Sequence, residues 1–572
     1  MARNVAIGIQ NFEDVIKNNY FYIDKTDFIR EWWERGDSVT LITRPRRFGK
    51  TLNISMLEQF FSVSYENRGE LFEHLAIWKE DAFRALQGTY PVISISFASV
   101  KETNYQTTRE KICHILTNLY NKYSFIKNSE KLTDTDRLYY DRMLSLEMRD
   151  SDATLALLQL SDFLYRYYGK KVIILLDEYD TPMQEAYIHG FWDELVAFTR
   201  SLFNATFKTN PYLERGLMTG ITRVSKESVF SDLNNLKVVT TTSDEYATCF
   251  GFTQEEVSDA LKECELEEQL QGVKTWYDGF VFGNQKEIYN PWSVLNFLDT
   301  KGKYGTYWAN TSGNRLVGKL IREGNKDIKT SFEMLLKGES IMTPIDEQIV
   351  YNALGDNEAA VWSLLLASGY LKVLQKEELI KPGMRPKYTL CITNGEVLDM
   401  FLNMVHDWFM GVEVPYNSFI RAMLTDDVEA MNEYMNKLTT QIFSYFDTSV
   451  NSLDCEPERF YHGFVLGLLT ELNEEYILTS NRESGFGRYD VMIEPRDKSK
   501  NAYILEFKVH KASKDITLEK TVEDALQQIH EKQYALELET RGIAKEHIRK
   551  YGFAFRGKEV LIGNENIKTI RE

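Results

Sequence analysis

The alternation of apolar and polar positions divides the chain into stretches of different character. Residues 38 to 43 (Ser-Val-Thr-Leu-Ile-Thr) form a short β-rich run, followed by a helical spacing of Leu52, Met56, Leu57, Phe60 and Phe61. Further strands are expected at Val92 to Phe97, at the wholly apolar Val172 to Leu176, at Gly216 to Ile221 and at Val238 to Thr241. Apolar strands separated by long helical stretches are buried on both faces, so residues 1–250 read as one α/β domain built on a parallel sheet.

At Thr253 the character changes. Thr253-Gln254-Glu255-Glu256 is a capping box ahead of a helix carrying Val257, Leu261 and Leu266, and helical patterns then dominate. Residues 251–450 are expected to be mostly α-helical, with a winged-helix-like unit drawn from Trp362 to Leu366, Gly369 to Leu371 and Tyr388 to Leu390. After Cys455 an α/β pattern returns in residues 451–572. It comprises an apolar helix (Phe460 to Leu472), strands at Tyr489 to Ile493 and Ala502 to Val509, a helix (Val522 to Leu538) and a strand (Tyr551 to Phe555).

Composition agrees with several domains, since 572 residues exceed what one hydrophobic core can serve. With 43% hydrophobic residues the chain is globular. No apolar run reaches membrane-spanning length and the N-terminus has no signal-peptide core, so a soluble, cytoplasmic protein with no membrane partner is expected. The five scattered cysteines, with no CxxC spacing, suggest unpaired thiols and no structural zinc. A net charge of −18 means that any nucleic acid must be met by a local basic patch or through a bound divalent cation.

Two constellations carry candidate chemistry. Gly49-Lys50-Thr51 stands between a strand and a helix, as a triphosphate site requires. Backbone N–H groups would cradle phosphate, Lys50 would bridge the terminal phosphates of ATP, and the Thr51 hydroxyl would ligate Mg²⁺. The loop's usual first glycine is replaced by Arg44, and a bare GKT means little alone. Its weight comes from the apolar strand that ends in Asp177-Glu178, where Asp177 would hold Mg²⁺ through water and Glu178 would polarise the attacking water. The competing reading is an ordinary polar loop after a buried strand. Thr219 or Thr222 is a candidate for sensing the γ-phosphate, and Arg223 for neutralising transition-state charge.

The second constellation is Asp490 with Glu506-Phe507-Lys508. Period-2 geometry puts Glu506 and Lys508 on one face of a strand, and a hairpin can bring Asp490 to them. Carboxylate oxygens suit Mg²⁺ or Mn²⁺, and Lys508 would orient a water or stabilise charge on a phosphodiester. Glu458 is a further candidate metal ligand, and Gln528 and Tyr534 are placed on a helix facing the cleft. Alternatively, Glu506 and Lys508 form a plain cross-strand ion pair. His462 has no identified partner and reads as a structural or substrate-contacting histidine.

Several segments together resemble a known bacterial family, the AAA-ATPase-like proteins, whose members usually carry a C-terminal PD-(D/E)XK nuclease-superfamily domain. The likeness rests on Ile7 to Phe12, Tyr22 to Thr26, the loop Arg44-Pro45-Arg46-Arg47-Phe48-Gly49-Lys50-Thr51, and Leu176 to Pro182. It continues through Trp276 to Phe280, Tyr289 to Ser293 and Tyr307-Trp308, and ends with Asp490 and Glu506 to Lys508. The arginine-rich loop is itself a family feature, so Arg44 does not count against membership. Tyr489, in place of proline before Asp490, departs from the superfamily's namesake pattern.

The resemblance implies a P-loop ATPase core with a parallel sheet, a helical lid and winged-helix-like middle, and a restriction-endonuclease-like tail. It points to an ATP-binding, metal-dependent nuclease acting on nucleic acid, DNA rather than RNA, in defence or mobile-element biology, with a homo-oligomer compatible. The alternative is a signalling or scaffolding ATPase whose tail binds nucleic acid or protein without cleavage. The aromatic cluster at Trp276 to Phe280 is assigned to interdomain packing.

Overall fold

A computed structural model describes residues 3–145, 148–223, 230, 233–309, 315–346, 354, 357–377, 386–410, 417–443, 475–480, 483–484, 487–488, 490–509, 517–556 and 559–565. The chain forms two compact units, one of residues 1–323 with 334–400, the other of 324–333 with 401–572. Glu458, His462, Tyr489 and the apolar stretch from Phe460 to Leu472 lie outside the described residues.

The first unit is built on five parallel strands, β1 (Val39–Thr43), β2 (Val92–Ser96), β3 (Val172–Asp177), β4 (Leu213–Gly220) and β5 (Leu236–Val239), in the order β2-β3-β4-β1-β5. Each matches an apolar run expected from the sequence. β3 is buried at every position, which is why that run contains no polar residue before Asp177. Because β4 lies between β1 and β3, the carboxyl ends of all three open on one edge. Thr43 pairs with Gly220 there, and Arg44 N–H donates to the Gly220 carbonyl. In open parallel sheets ligands bind at this edge. Helix α1 (Lys50–Phe61) leaves β1 through the loop 44–49, and helix α2 (Thr181–His189) leaves β3, with Pro182 in its first turn where a missing N–H costs nothing.

The same unit holds two antiparallel sheets. β6 (Phe252–Thr253), β7 (Phe280–Phe282) and β8 (Gln285–Tyr289) form one, in the order β6-β8-β7. β9 (Ile341–Pro344), β10 (Leu371–Lys376) and β11 (Lys387–Ile392) form the other, in the order β10-β11-β9, beside a helix at Glu358–Ala367 that contains the Trp362 to Leu366 run. Helix α3 (Gly395–Met410) follows β11.

The second unit contains a mixed sheet of β12 (Tyr476–Ser480), β15 (Val491–Pro495), β16 (Ala502–Val509), β17 (Ile548–Arg556) and β18 (Glu559–Gly563), in that order. The two-residue strands β13 (Glu483–Ser484) and β14 (Gly487–Arg488) pair with each other ahead of β15. β16 and β17 are parallel and are connected through helix α5 (Leu518–Glu531), whereas the other neighbours are antiparallel. Alternation along β16 fixes both faces: Tyr503, Leu505 and Phe507 join a core with Phe419, Met423, Met431 and Met435, while Ala502 and Ile504 pack with Val522, Leu526 and Ile529 of α5. Glu506 and Lys508 therefore fall on the α5 face.

The edge strand β18 is closed by helix α4 (Val428–Phe443). Asn432 donates to the Ile562 carbonyl (2.8 Å) and accepts its N–H (2.7 Å), and Asn436 does the same for Val560 (2.6 and 2.9 Å). Two side-chain amides four residues apart thus replace a neighbouring strand.

The sequence pattern from Val522 to Leu538 reads as one helix, but two are found, Leu518–Glu531 and Ala535–Thr540. Gln533 adopts a φ of 54° and breaks the run. The buried Tyr534 consequently sits in the connection and not on α5.

Candidate functional site

The first candidate site is the loop between β1 and α1. Arg47 and Gly49 take φ values of 63° and 78°, the conformation that turns successive N–H groups into an anion-binding concavity. The N–H groups of Arg47 and Gly49 have no acceptor among the described residues. Lys50 is buried, and its Nζ lies at 2.9 and 2.8 Å from the carbonyl oxygens of Arg44 and Pro45. Burial pulls its pKa below the usual lysine range, opposed by the charges of Glu178, Asp177 and Asp180.

Asp177 comes to this loop from the end of β3. Thr51 Oγ1 donates to one of its carboxylate oxygens (2.7 Å) and Thr219 Oγ1 to the other. Burial raises its pKa although both hydroxyls favour the charged form. Thr219 therefore stands at Asp177, while Thr222 serves Asp180. The Asp180 carboxylate accepts Thr222 Oγ1 (2.9 Å) and the N–H groups of Ile221 (3.0 Å) and Thr222 (2.8 Å), fixing the turn after β4. Glu178 sits between them with φ 50°, and its carboxylate accepts Thr181 Oγ1 at 3.1 Å. Arg223 lines a cleft with Thr43, Thr240 and Ser363.

Arg44, where a glycine would be usual, points away from the loop's mouth into the unit. Its guanidinium donates to the carbonyls of Thr43 (3.0 Å), Thr240 (2.7 Å) and Glu245 (3.1 Å), and lies over the rings of Phe282 and Phe250. Burial lowers its pKa to about 10. The position tolerates a side chain because that side chain anchors the base of the loop.

The second candidate site lies where β15 meets β16. Val491 pairs with Leu505, which places Asp490 beside Glu506 at the start of β15. Asp490 Oδ2 accepts the Phe507 N–H at 2.8 Å. Glu506 is 2% exposed and Lys508 31%, and their charged atoms are 3.6 Å apart. Gln528 of α5 joins them: its amide oxygen accepts Lys508 Nζ, and its amide nitrogen donates to Glu506 Oε1 and, at 3.3 Å, to the Tyr534 hydroxyl. Burial, then the charge of Asp490, pushes the Glu506 carboxyl up to about 8, with Lys508 acting in the opposite direction.

These groups fit a hard divalent cation. Among the described residues Glu506 Oε2 is buried with no hydrogen-bond partner, and a second carboxylate stands close enough to disfavour its ionisation. A cation resolves both, since it supplies a partner for the oxygen and a charge between the acids. Among the described residues no histidine, cysteine or further acid completes a cluster of three. Residue order alone missed the anchoring of Arg44, the hydroxyl bridges to Asp177 and Asp180, and the double hydrogen bond of Gln528. Asp180, three residues after Asp177, is the sequence signal that carries part of this.

The strand–loop–helix turn at Lys50, with acids at the end of β3, has the form of a P-loop core, and the mixed sheet with its acid–acid–lysine cluster has the form of a nuclease core. Comparison with known families agrees: residues 6–230 match the model described as a predicted AAA-ATPase, and residues 456–565 match the PD-(D/E)XK nuclease superfamily. The chain thus joins an AAA-ATPase-like domain to a C-terminal PD-(D/E)XK nuclease-superfamily domain. It is also similar to an "Uncharacterized protein in vnfD 5′region" of Azotobacter chroococcum mcd 1, with 26% identity over 406 residues, 69% of this chain and 68% of that protein. Among the described residues no helix is long and apolar enough to cross a membrane.

Proposed function

We propose that this chain binds and hydrolyses ATP at the Lys50 loop and cleaves nucleic-acid phosphodiesters at Asp490, Glu506 and Lys508 with Mg²⁺ or Mn²⁺. The observation that carries the nuclease reading is the meeting of two carboxylates and an ammonium at one end of β15 and β16, with a buried Glu506 oxygen that has no hydrogen-bond partner among the described residues. Asp490 and Glu506 would hold the ion, with Glu458 a further ligand. When bound, the ion supplies Lewis acidity at the scissile phosphate and lowers the pKa of a coordinated water. Lys508, held by Gln528, is partly exposed, and its ammonium would stabilise the charge that develops on the phosphate.

At the other site, Gly49 and Lys50 would receive the phosphates, Thr51 and Asp177 the magnesium, and Glu178 would orient the attacking water. DNA is the proposed substrate, in the cytoplasm and in defence or mobile-element biology, with ATP regulating cleavage. The test is Mg²⁺- or Mn²⁺-dependent cleavage of DNA and RNA by wild type, Lys50→Ala, Asp490→Ala and Glu506→Ala. Loss of cleavage in both carboxylate variants is expected. Intact cleavage in both would remove the nuclease assignment.

A further inference from the structure

Four sequence segments that neither site uses converge on the phosphate loop from outside it. Pro45 lies against Gly369, where an added Cβ would sit 2.8 Å from the proline ring. The Arg46 carbonyl accepts the Trp308 indole N–H at 2.9 Å. The Arg47 guanidinium lies 4.2 Å over the Trp292 ring, and Phe48 packs edge-on to Phe280 at 4.7 Å. Four consecutive loop residues are therefore held by the part of the same compact unit that follows residue 250.

Trp308 is itself fixed by a buried carboxylate. Glu396, on α3, accepts the backbone N–H groups of Trp308 and Ala309 on Oε1 and the Ser293 hydroxyl (2.7 Å) on Oε2. Glu396 and Ser293 are fully buried and Trp308 is 1% exposed, so the network has no solvent alternative. Its ring contacts, Phe280 at 5.6 Å and Tyr370 at 5.5 Å, leave the indole N–H aimed at the loop.

The consequence follows from peptide geometry. In a trans peptide the C=O and the N–H point in opposite directions, so holding the Arg46 carbonyl against Trp308 turns the Arg47 N–H away from Trp308 and into the concavity. Arg47 keeps a left-handed φ of 63° that a residue with a side chain seldom adopts unaided, and its N–H has no acceptor among the described residues. We propose that Trp308, held by Glu396 and Ser293, is a positioning residue for ATP: it orients the Arg46–Arg47 peptide so that the Arg47 N–H donates to a phosphate oxygen. This rests on the reading of the Lys50 loop as an ATP site.

The experiment measures ATP affinity by calorimetry, and Tm with and without ATP, on the full chain as wild type, Lys50→Ala, Trp308→Phe and Trp308→Phe/Arg47→Gly. Phenylalanine keeps the ring contacts and removes the N–H. Trp308→Phe is expected to bind ATP about tenfold more weakly with its nucleotide-free Tm within about 2 °C of wild type. Adding Arg47→Gly, which takes positive φ without cost, is expected to recover part of that affinity. If Trp308→Phe does not fold, Ser293→Ala, three hydrogen bonds from the loop, is expected to weaken ATP about threefold. Wild-type affinity in Trp308→Phe, or a loss that Arg47→Gly does not relieve, would overturn the positioning role while leaving the ATP site standing. A wild type that binds no more ATP than Lys50→Ala would overturn the ATP site and the positioning role together.

Discussion

Asp490 accepts the backbone N–H of Phe507, so this carboxylate ties the start of β15 to the strand that carries Glu506 and Lys508. The same side chain is a proposed metal ligand, and its two duties can be separated by substitution. Asp490→Asn retains an oxygen for the Phe507 N–H but loses the charge. It is expected to melt within about 2 °C of wild type and to lose cleavage by about a hundredfold or more. Asp490→Ala should in addition lose about 1 kcal/mol of stability from the unpaired N–H, visible in denaturant unfolding.

Gln528 holds Glu506 and Lys508 with opposite ends of one amide. Gln528→Leu removes both bonds while filling similar space, and outer-shell partners of metal ligands are typically worth about 10- to 100-fold in affinity or activity. Metal-dependent cleavage should fall by about that factor with the metal optimum moved to higher concentration. Unchanged metal dependence would show that Gln528 is only a packing residue.

Arg44 is a buried cation whose two terminal nitrogens donate to three carbonyls and whose guanidinium lies over two rings. Arg44→Gly would restore the glycine common in such loops, yet it should destabilise the first unit by about 3 kcal/mol, because the carbonyls lose their donor and a cavity replaces the side chain. Arg44→Lys should recover little, since one ammonium cannot reproduce the planar fork. Denaturant unfolding of the three proteins checks this order.

Glu396 gives a pH dependence with a definite sign. Burial pushes its carboxyl from 4.5 to about 7, against the favourable hydrogen bonds from Ser293, Trp308 and Ala309. A raised folded-state pKa contributes stability that is fully present below the unfolded value and is lost as pH rises through the folded one. Stability should therefore fall by up to about 3 kcal/mol between about pH 4.5 and pH 7 from this group. In Glu396→Gln, which keeps the acceptor for the two N–H groups, that component should vanish, so the variant gains on wild type at pH 8 relative to pH 5 in Tm measurements.

The β18 edge offers a test of the fold. Replacing Asn432 and Asn436 together by alanine removes four hydrogen bonds to Val560 and Ile562 and should cost about 2–4 kcal/mol. Faster amide exchange at those two residues is the direct readout.

What was legible in the sequence follows from how local each signal is. β3 could be read because a parallel central strand is apolar throughout, and Asp177 stands out by ending it. Glu506 and Lys508 could be placed on one face because strand periodicity needs no distant partner. Arg44 looked like a defect, since the carbonyls that bind it are about two hundred residues away for Thr240 and Glu245. Glu396 has the appearance of an ordinary acid in the first turn of a helix, and only tertiary packing makes it a buried acceptor. The break at Gln533 was invisible because no glycine or proline marks it and Ala535, Leu536 and Leu538 continue the apolar pattern.

The most direct measurement is calorimetric titration of Mn²⁺ into the full chain without nucleotide, comparing wild type with Glu506→Gln and Asp490→Asn. One ion bound by wild type and lost in both variants is the expected result. Equal binding in all three proteins, or none in wild type, would contradict a shared metal site at Asp490 and Glu506.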